Sequence, residues 1–86
     1  MYIIVSYDVN ACRCNKVNKI LKKYLFNIHN SVFEGELTNK QYLNLKNELY
    51  KTIHFDEDRV IFYLMLSNKY IRKEYMGEKV EINCLY

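Results

Sequence analysis

The first eight residues, Met1 to Asp8 with the sequence MYIIVSYD, decide how the rest of the chain is interpreted. Tyr2 to Tyr7 is dense in β-branched and aromatic residues, which favour a β-strand. Apolar side chains occupy both odd and even positions, so both faces of this strand need cover. The strand ends on Asp8, and Asn10 then provides a helix N-cap. Asp8 is predicted at the rim of the sheet, where it either ends the strand and helps to cap the helix or binds a divalent metal ion.

Length and composition restrict the chain to one small domain that gains stability from a partner. The 86 residues leave no room for a second core, and a chain this short buries only about 60% of its unfolded surface. Nine residues are tyrosines, which tolerate a partly exposed position at an interface. The absence of proline and the presence of only two glycines argue against linkers and disorder.

The net charge of +3 is unevenly distributed along the chain. No acidic residue occurs between Asp8 and Glu34, and the cations inside that interval are Arg13, Lys16, Lys19, Lys22 and Lys23. Such a segment indicates either a polyanionic partner such as nucleic acid or the solvated face of an ordinary surface helix.

The cysteines and the apolar runs indicate a soluble protein of the cytoplasm. Cys12, Cys14 and Cys84 match neither a disulfide framework nor a zinc-binding spacing, and we interpret them as reduced thiols. The N-terminal sequence lacks the features of a secretory signal. The longest apolar run, Val60 to Leu66, is far shorter than the roughly 18 residues that span a membrane. We therefore expect no membrane partner.

Hydrophobic periodicity predicts the order strand, helix, two strands, helix, strand, followed by one extra strand. The elements after the first strand are a helix from about Ala11 to Tyr24, strands at Phe26 to His29 and Val32 to Leu37, a helix that begins with a capping box at Thr38 to Gln41 and ends before His54, and a strand at Arg59 to Leu66. The remaining segments are a solvated acidic turn (Asp56, Glu57 and Asp58), a polar connector with some helical character (Asn68 to Met76) and an alternating edge strand (Glu78 to Tyr86).

This order predicts an α+β fold, a ferredoxin-like βαββαβ sandwich with an additional C-terminal strand. Both helices cover one face of the sheet, yet the first and fourth strands are apolar on both faces. We therefore expect a homodimer that stacks sheet against sheet about a two-fold axis. Residues 1–86 then form one domain, with a core at 1–77 and a strand at 78–86 that pairs with the partner protomer.

A two-fold axis near the rim also suggests a shared metal site. Two copies of Asp8 would hold one Mg²⁺ or Mn²⁺ across the dimer seam, with water completing the coordination. The same symmetry doubles the basic first helix and creates two positive tracks for a polyanion.

Several segments, taken together, resemble the CRISPR-associated protein 2 family over nearly the whole chain. They are Tyr7-Asp8-Val9, Arg13 with Asn15-Lys16-Val17, Leu21 to Leu25, and the run NSVFEGELT from Asn30 to Thr38. The resemblance implies a ferredoxin-like homodimer with a shared or exchanged tail strand. It also implies a scaffold between two integrase dimers that capture and insert new CRISPR spacers. Some members of the family are metal-dependent nucleases on single-stranded RNA or duplex DNA, and others are inert scaffolds.

The resemblance also assigns roles to individual residues. Asp8 matches the metal-binding and catalytic acid, Arg13 the basic residue at the start of the first helix, and Phe33 the aromatic of the Ser-Val-Phe motif that begins at Ser31; Tyr7 precedes the acid. His29 stands where close relatives often have glutamine, and we interpret it as a hydrogen-bonded surface or seam histidine. The arginine-rich run that some relatives carry after the aspartate is reduced here to Arg13 between two cysteines, which favours binding over cleavage.

Two functions follow as predictions, with a third as a remote alternative. The first is a CRISPR adaptation subunit that bridges the integrase and binds duplex DNA through Arg13, Lys16, Lys19 and Lys23. The second is a magnesium-dependent endonuclease that uses Asp8 at the seam. A single-strand RNA-binding domain is the third, but the Gly-Phe-Gly-Phe type of stacking motif that it requires is absent from the sequence.

Overall fold

The computed structural model describes residues 1–67 and 70–77, in which five strands and two helices follow one another along the chain. They are β1 (Tyr2–Asp8), α1 (Ala11–Lys22), β2 (Phe26–His29), β3 (Val32–Glu36), α2 (Asn39–Thr52), β4 (Arg59–Ser67) and β5 (Tyr70–Gly77). The strands form one antiparallel sheet in the order β2-β3-β1-β4-β5. Strands β1 to β4 have the ferredoxin-like order, and β5 extends the sheet beside β4. The predicted fold class is confirmed.

The central strand β1 organises the core because its side chains alternate between the two faces of the sheet. Ile3 and Val5 are fully buried beneath the helices, and Tyr7 is nearly so. The helices cover them with apolar stripes at helical spacing. The main residues of these stripes are Val17 and Leu21 on α1 and Tyr42, Leu45 and Leu49 on α2.

Both helices begin as their sequences predict. The Asn10 side chain accepts a hydrogen bond from the Cys12 backbone amide at 3.0 Å and caps α1. In the capping box of α2, the Gln41 amide donates to Thr38 Oγ1 at 3.1 Å, and the Thr38 amide donates to Gln41 Oε1 at 2.9 Å. Neither helix has the length and apolar composition that crossing a membrane requires, and this holds for all of the chain that the structure describes.

The second face of the sheet is apolar, and no described element covers it. Strand alternation and register place a common set of side chains on this face, hereafter the open face. Its apolar residues are Tyr2, Ile4, Phe26, Val32, Ile61, Tyr63, Met65, Ile71 and Tyr75. Phe26 and Ile71 are 79% and 66% exposed. A sheet with such a face needs a partner surface if these groups are to be removed from water.

The predicted connector at Asn68 to Met76 is wrong, because residues 70–77 form strand β5. Its central residues, Arg72, Lys73 and Glu74, are good helix formers, but backbone pairing with the long strand β4 overrides that local preference. Glu74 accepts hydrogen bonds from Tyr42 at 2.5 Å and Lys46 at 3.3 Å, so α2 compensates its charge. These hydrogen bonds, first that of Tyr42, lower the pKa of Glu74 despite its partial burial. The predicted tail strand, Glu78 to Tyr86, lies outside the described residues.

Candidate nucleic-acid and metal-binding site

Asp8 lies at the rim of the open face, where β1 ends. Its side chain is exposed and points to the same side of the sheet as Ile4, which lies four residues earlier in the strand. In the described part of the chain it makes no ion pair or side-chain hydrogen bond. The helix cap is provided by Asn10 instead, so the carboxylate of Asp8 is available to a ligand.

The described residues around Asp8 do not form a metal cage within one protomer. Among residues 1–67 and 70–77, no three histidine, cysteine, aspartate or glutamate side chains come together as a possible metal site. Mg²⁺ commonly uses one or two carboxylates and takes its remaining oxygen ligands from water or substrate phosphates. A single exposed carboxylate such as that of Asp8 is the lower limit of this requirement.

Arg13 and Asp58 form a network that joins the start of α1 to the loop before β4. The Arg13 guanidinium donates to Asp58 through Nε at 2.5 Å and Nη2 at 3.1 Å, and to Glu57 through Nη2 at 2.6 Å. The backbone amides of Asn10 and His54 donate to the same Asp58 carboxylate at 2.8 and 2.7 Å. Asp58 has no exposed surface, and its charge is balanced inside the protein.

The predicted solvated acidic turn is therefore wrong for Asp58. Burial alone would raise the pKa of its carboxyl group, but the hydrogen bonds from Arg13, His54 and Asn10 outweigh that effect and lower the pKa to about 2. The hydrogen bonds that Arg13 donates to Asp58 and Glu57 raise the pKa of its guanidinium further above the ordinary value. The structure thus places Arg13, predicted to contact nucleic acid, in an internal ion-pair network.

The three predicted lysines share one outward face of α1 and its C-terminal end. Lys16 and Lys19 are exposed, stand one helical turn apart, and have no acidic partner among the described residues. Lys23 instead forms an ion pair with Glu48 of α2, which also accepts a hydrogen bond from the Tyr24 hydroxyl. These bonds, first that of Lys23, lower the pKa of Glu48. Lys16 and Lys19 are therefore the less compensated cations of the predicted set.

The motif residues Tyr7, Ser31 and Phe33 support the end of β1. The Tyr7 ring stacks on the fully buried Phe33 ring with centroids 6.3 Å apart, and the Tyr7 amide donates to the Ser31 carbonyl at 3.1 Å. Both contacts fix the residue next to Asp8. His29 is exposed on β2, where its Nε2 atom lies 3.2 Å from the Asn30 side-chain amide.

Arg59 is the site residue that sequence reasoning missed. It is the direct cross-strand partner of Asp8, so the two side chains lie on the same face of the sheet. The alternation of β4 contained the signal, because Arg59 shares the parity of Ile61 and Tyr63. The position of Arg59 opposite Asp8 depends on the β1–β4 register, which cannot be read from the sequence alone.

The geometry is that of a ferredoxin-like domain with an acid at the rim of an apolar sheet face. Comparison with known proteins agrees with it. Residues 1–73 match the family profile of CRISPR associated protein Cas2. A CRISPR-associated endoribonuclease Cas2 of Dictyoglomus turgidum is 47% identical over 77 residues, which cover 90% of this chain and 88% of that protein. One of Thermotoga maritima is also 47% identical, with the same coverage. The chain belongs to the Cas2 family.

Solved structures agree with the family assignment. A crystal structure of Cas2 superposes with a TM-score of 0.75 at 44% identity and covers 81% of this chain and 79% of that one. The Streptococcus pyogenes Cas2 crystal structure at pH 6.5 superposes with a TM-score of 0.71 at 32% identity, covering 79% of this chain and 89% of that one. The family resemblance inferred from the motifs is confirmed.

Proposed function

We propose that this protein is a homodimeric, duplex-binding subunit of CRISPR adaptation that acts as a scaffold for the integrase. The observation that carries the proposal is the charge of the helix layer. The segment from Ala11 to Lys23 contains no acid and four lysines. Of these, Lys23 is paired with Glu48, whereas Lys16, Lys19 and Lys22 have no acidic partner among the described residues. A positive layer of this kind favours the phosphate backbone without any need to recognise bases.

The open face supports the dimeric part of the proposal. Pairing two copies through this face would bury the apolar side chains of both sheets and leave both helix layers on the outside. The assembly would then present two positive surfaces on one rigid body. A rigid body with two outward duplex-binding surfaces is suited to holding nucleic acid between integrase subunits.

The spacing of the α1 lysines supports backbone contact. Lys16 and Lys23 are separated by seven residues, or about 10 Å along a helix at 1.5 Å per residue. That length corresponds to roughly three nucleotide steps of duplex at 3.4 Å each. One protomer would therefore follow a short length of a single strand, and two protomers would contact separate stretches.

Replacing Lys16 and Lys19 together with glutamine tests this function. In a dimer the change removes up to four phosphate contacts, so the slope of log affinity against log salt should fall in magnitude by about 3 to 4. Fluorescence anisotropy with a short duplex at about 50 to 200 mM salt measures it. The matched control, Lys40→Gln with Lys51→Gln, removes the same charge from exposed positions of α2. Equal losses in both double variants would contradict a specific α1 track.

A metal-dependent endonuclease is the second candidate function. It is favoured by the names of the relatives from Dictyoglomus and Thermotoga, which are CRISPR-associated endoribonucleases, and by the exposed, unpaired carboxylate of Asp8. Asp8 and the partner's Asp8 would hold one Mg²⁺ or Mn²⁺, and such an ion would supply activation of water or charge neutralisation at a phosphate.

Asp8→Asn should abolish both cleavage of single-stranded RNA and binding of Mn²⁺, because a neutral amide is a much weaker ligand for a hard cation. We expect a rate loss of at least about 100-fold, with unchanged dimerisation and duplex affinity. Cleavage assays and calorimetric Mn²⁺ titration measure the two effects. Asp56→Asn, at an exposed loop position, is the control. Equal cleavage by wild type and Asp8→Asn would contradict a catalytic role for Asp8.

A further inference from the structure

The three arginines of the chain differ in whether their charge is already used. Arg13 is held by Asp58 and Glu57, and Arg72 has Glu74 at 3.7 Å. Arg59 is half-buried and has no acidic partner within residues 1–67 and 70–77. A guanidinium that is partly removed from water without a counter-charge is a strong candidate for an external anion.

The surroundings of Arg59 explain why its charge remains uncompensated. Its neighbour in sequence, Asp58, is saturated by Arg13 and two backbone amides. Asp8 stands directly opposite on β1, but no ion pair forms between these two residues. On the other side, the register partner on β5 is Gly77, which has no side chain and therefore offers Arg59 no counter-charge.

The backbone conformation and the neighbouring backbone require a glycine at position 77. It has a φ of +99°, and a Cβ atom there would lie 2.1 Å from the Asp58 carbonyl oxygen. A larger residue is therefore excluded at the position next to Arg59 on the open face. The rim consequently presents an acid, an arginine and a glycine on three adjacent strands.

We propose that Arg59 binds a backbone phosphate of nucleic acid at this rim, beside Asp8. The inference rests on the proposed function, to which it adds a specific phosphate contact separate from the α1 lysines. The planar guanidinium donates two parallel hydrogen bonds to phosphate oxygens. Asp8 remains available to a divalent cation, which bridges naturally between a carboxylate and a phosphate.

The test compares Arg59→Gln, Arg59→Lys and the control Arg72→Gln for binding of a short duplex in EDTA across about 50 to 200 mM salt. Arg59→Gln should weaken binding about 10-fold and reduce the magnitude of the salt slope by about 2, for two phosphates per dimer. Arg59→Lys should restore the slope but only part of the affinity, since a lysine is a point charge. Arg72→Gln should match wild type. Equal affinity and slope for wild type and Arg59→Gln overturn the inference.

Two further measurements separate this inference from its alternatives. Sedimentation reports the dimer, and loss of dimerisation in Arg59→Gln would overturn the inference by assigning Arg59 to the subunit interface. If wild type binds no duplex, the proposed function fails, and titration with inorganic phosphate decides the inference separately. Phosphate should shift the backbone amide NMR signals of residues 59 and 77 in wild type but not in Arg59→Gln, and this result supports the inference. An absence of shifts in wild type overturns it.

Discussion

Ile4→Lys is expected to convert the dimer into a folded monomer. Ile4 lies in the central strand, on the open face, between Tyr63 of β4 and Glu34 of β3. In a two-fold dimer each substitution acts twice, and two buried ammonium groups at about 2 kcal/mol each would weaken association roughly 1,000-fold. Glu34 offers the new ammonium group a counter-charge within the monomer, so the fold itself should survive.

Sedimentation velocity over a range of protein concentrations measures this change against the protomer mass of 10.5 kDa. Leu43→Lys is the matched control, because Leu43 is 56% exposed on the outer side of α2 and is not part of the open face. The control should sediment as a dimer. A wild type that stays monomeric, or an Ile4→Lys variant that associates like wild type, would contradict sheet-to-sheet pairing.

Local sequence signals predicted the first six elements because each of those signals acts over a few residues. Three such signals are the alternating burial in β1, the apolar stripe of α1 and the capping box at Thr38. Each depends only on side chains a few residues apart in sequence. The two-sided apolar character of β1 and β4 also indicated the open face correctly. The position of Asp8 at the rim followed from the same pattern.

The features that were missed depend on pairs distant in sequence. Arg13 and Asp58 are 45 residues apart, and nothing in the run Asp56-Glu57-Asp58 distinguishes the buried carboxylate from its exposed neighbours. In β5, residues with helical preference form a strand because β4 supplies the hydrogen-bonding partner. The opposition of Asp8 and Arg59 likewise arises from strand register.

These missed pairs change which arginine of the candidate site is available to a ligand. The predicted contact Arg13 connects α1 to the loop before β4, while Arg59, which carried no motif, has no acidic partner at the rim among residues 1–67 and 70–77. Internal pairing decides this difference, since each acid can balance only the cations within its reach. A motif match therefore predicts where a site lies, and the ion pairs among the described residues indicate which charges are available to a ligand.

Asp58→Asn is expected to lower the free energy of unfolding by about 3 kcal/mol at neutral pH. Arg13 loses its main counter-charge, and the amide group of asparagine cannot accept all four hydrogen bonds that the carboxylate accepts. For a domain of this size that corresponds to a decrease in Tm of roughly 10 to 20 °C at fixed protein concentration. Thermal and urea unfolding measure it. The control is Asp56→Asn, which changes an exposed acid in the same loop and should melt with wild type.

The difference in unfolding free energy between wild type and Asp58→Asn should also depend on pH. A carboxyl group whose pKa is about 2 when folded and about 3.9 when unfolded stabilises the fold fully above the unfolded value, and this contribution is lost as the pH falls toward the folded value. The difference in unfolding free energy between wild type and Asp58→Asn should therefore be constant from pH 7 to about 5 and shrink as the pH falls from about 4 toward 2. Glu48 and Glu74, whose pKa values are also lowered, contribute equally to both proteins and cancel in the comparison. A difference that stayed constant down to the acid end would show that Asp58 does not stabilise the fold through its charge.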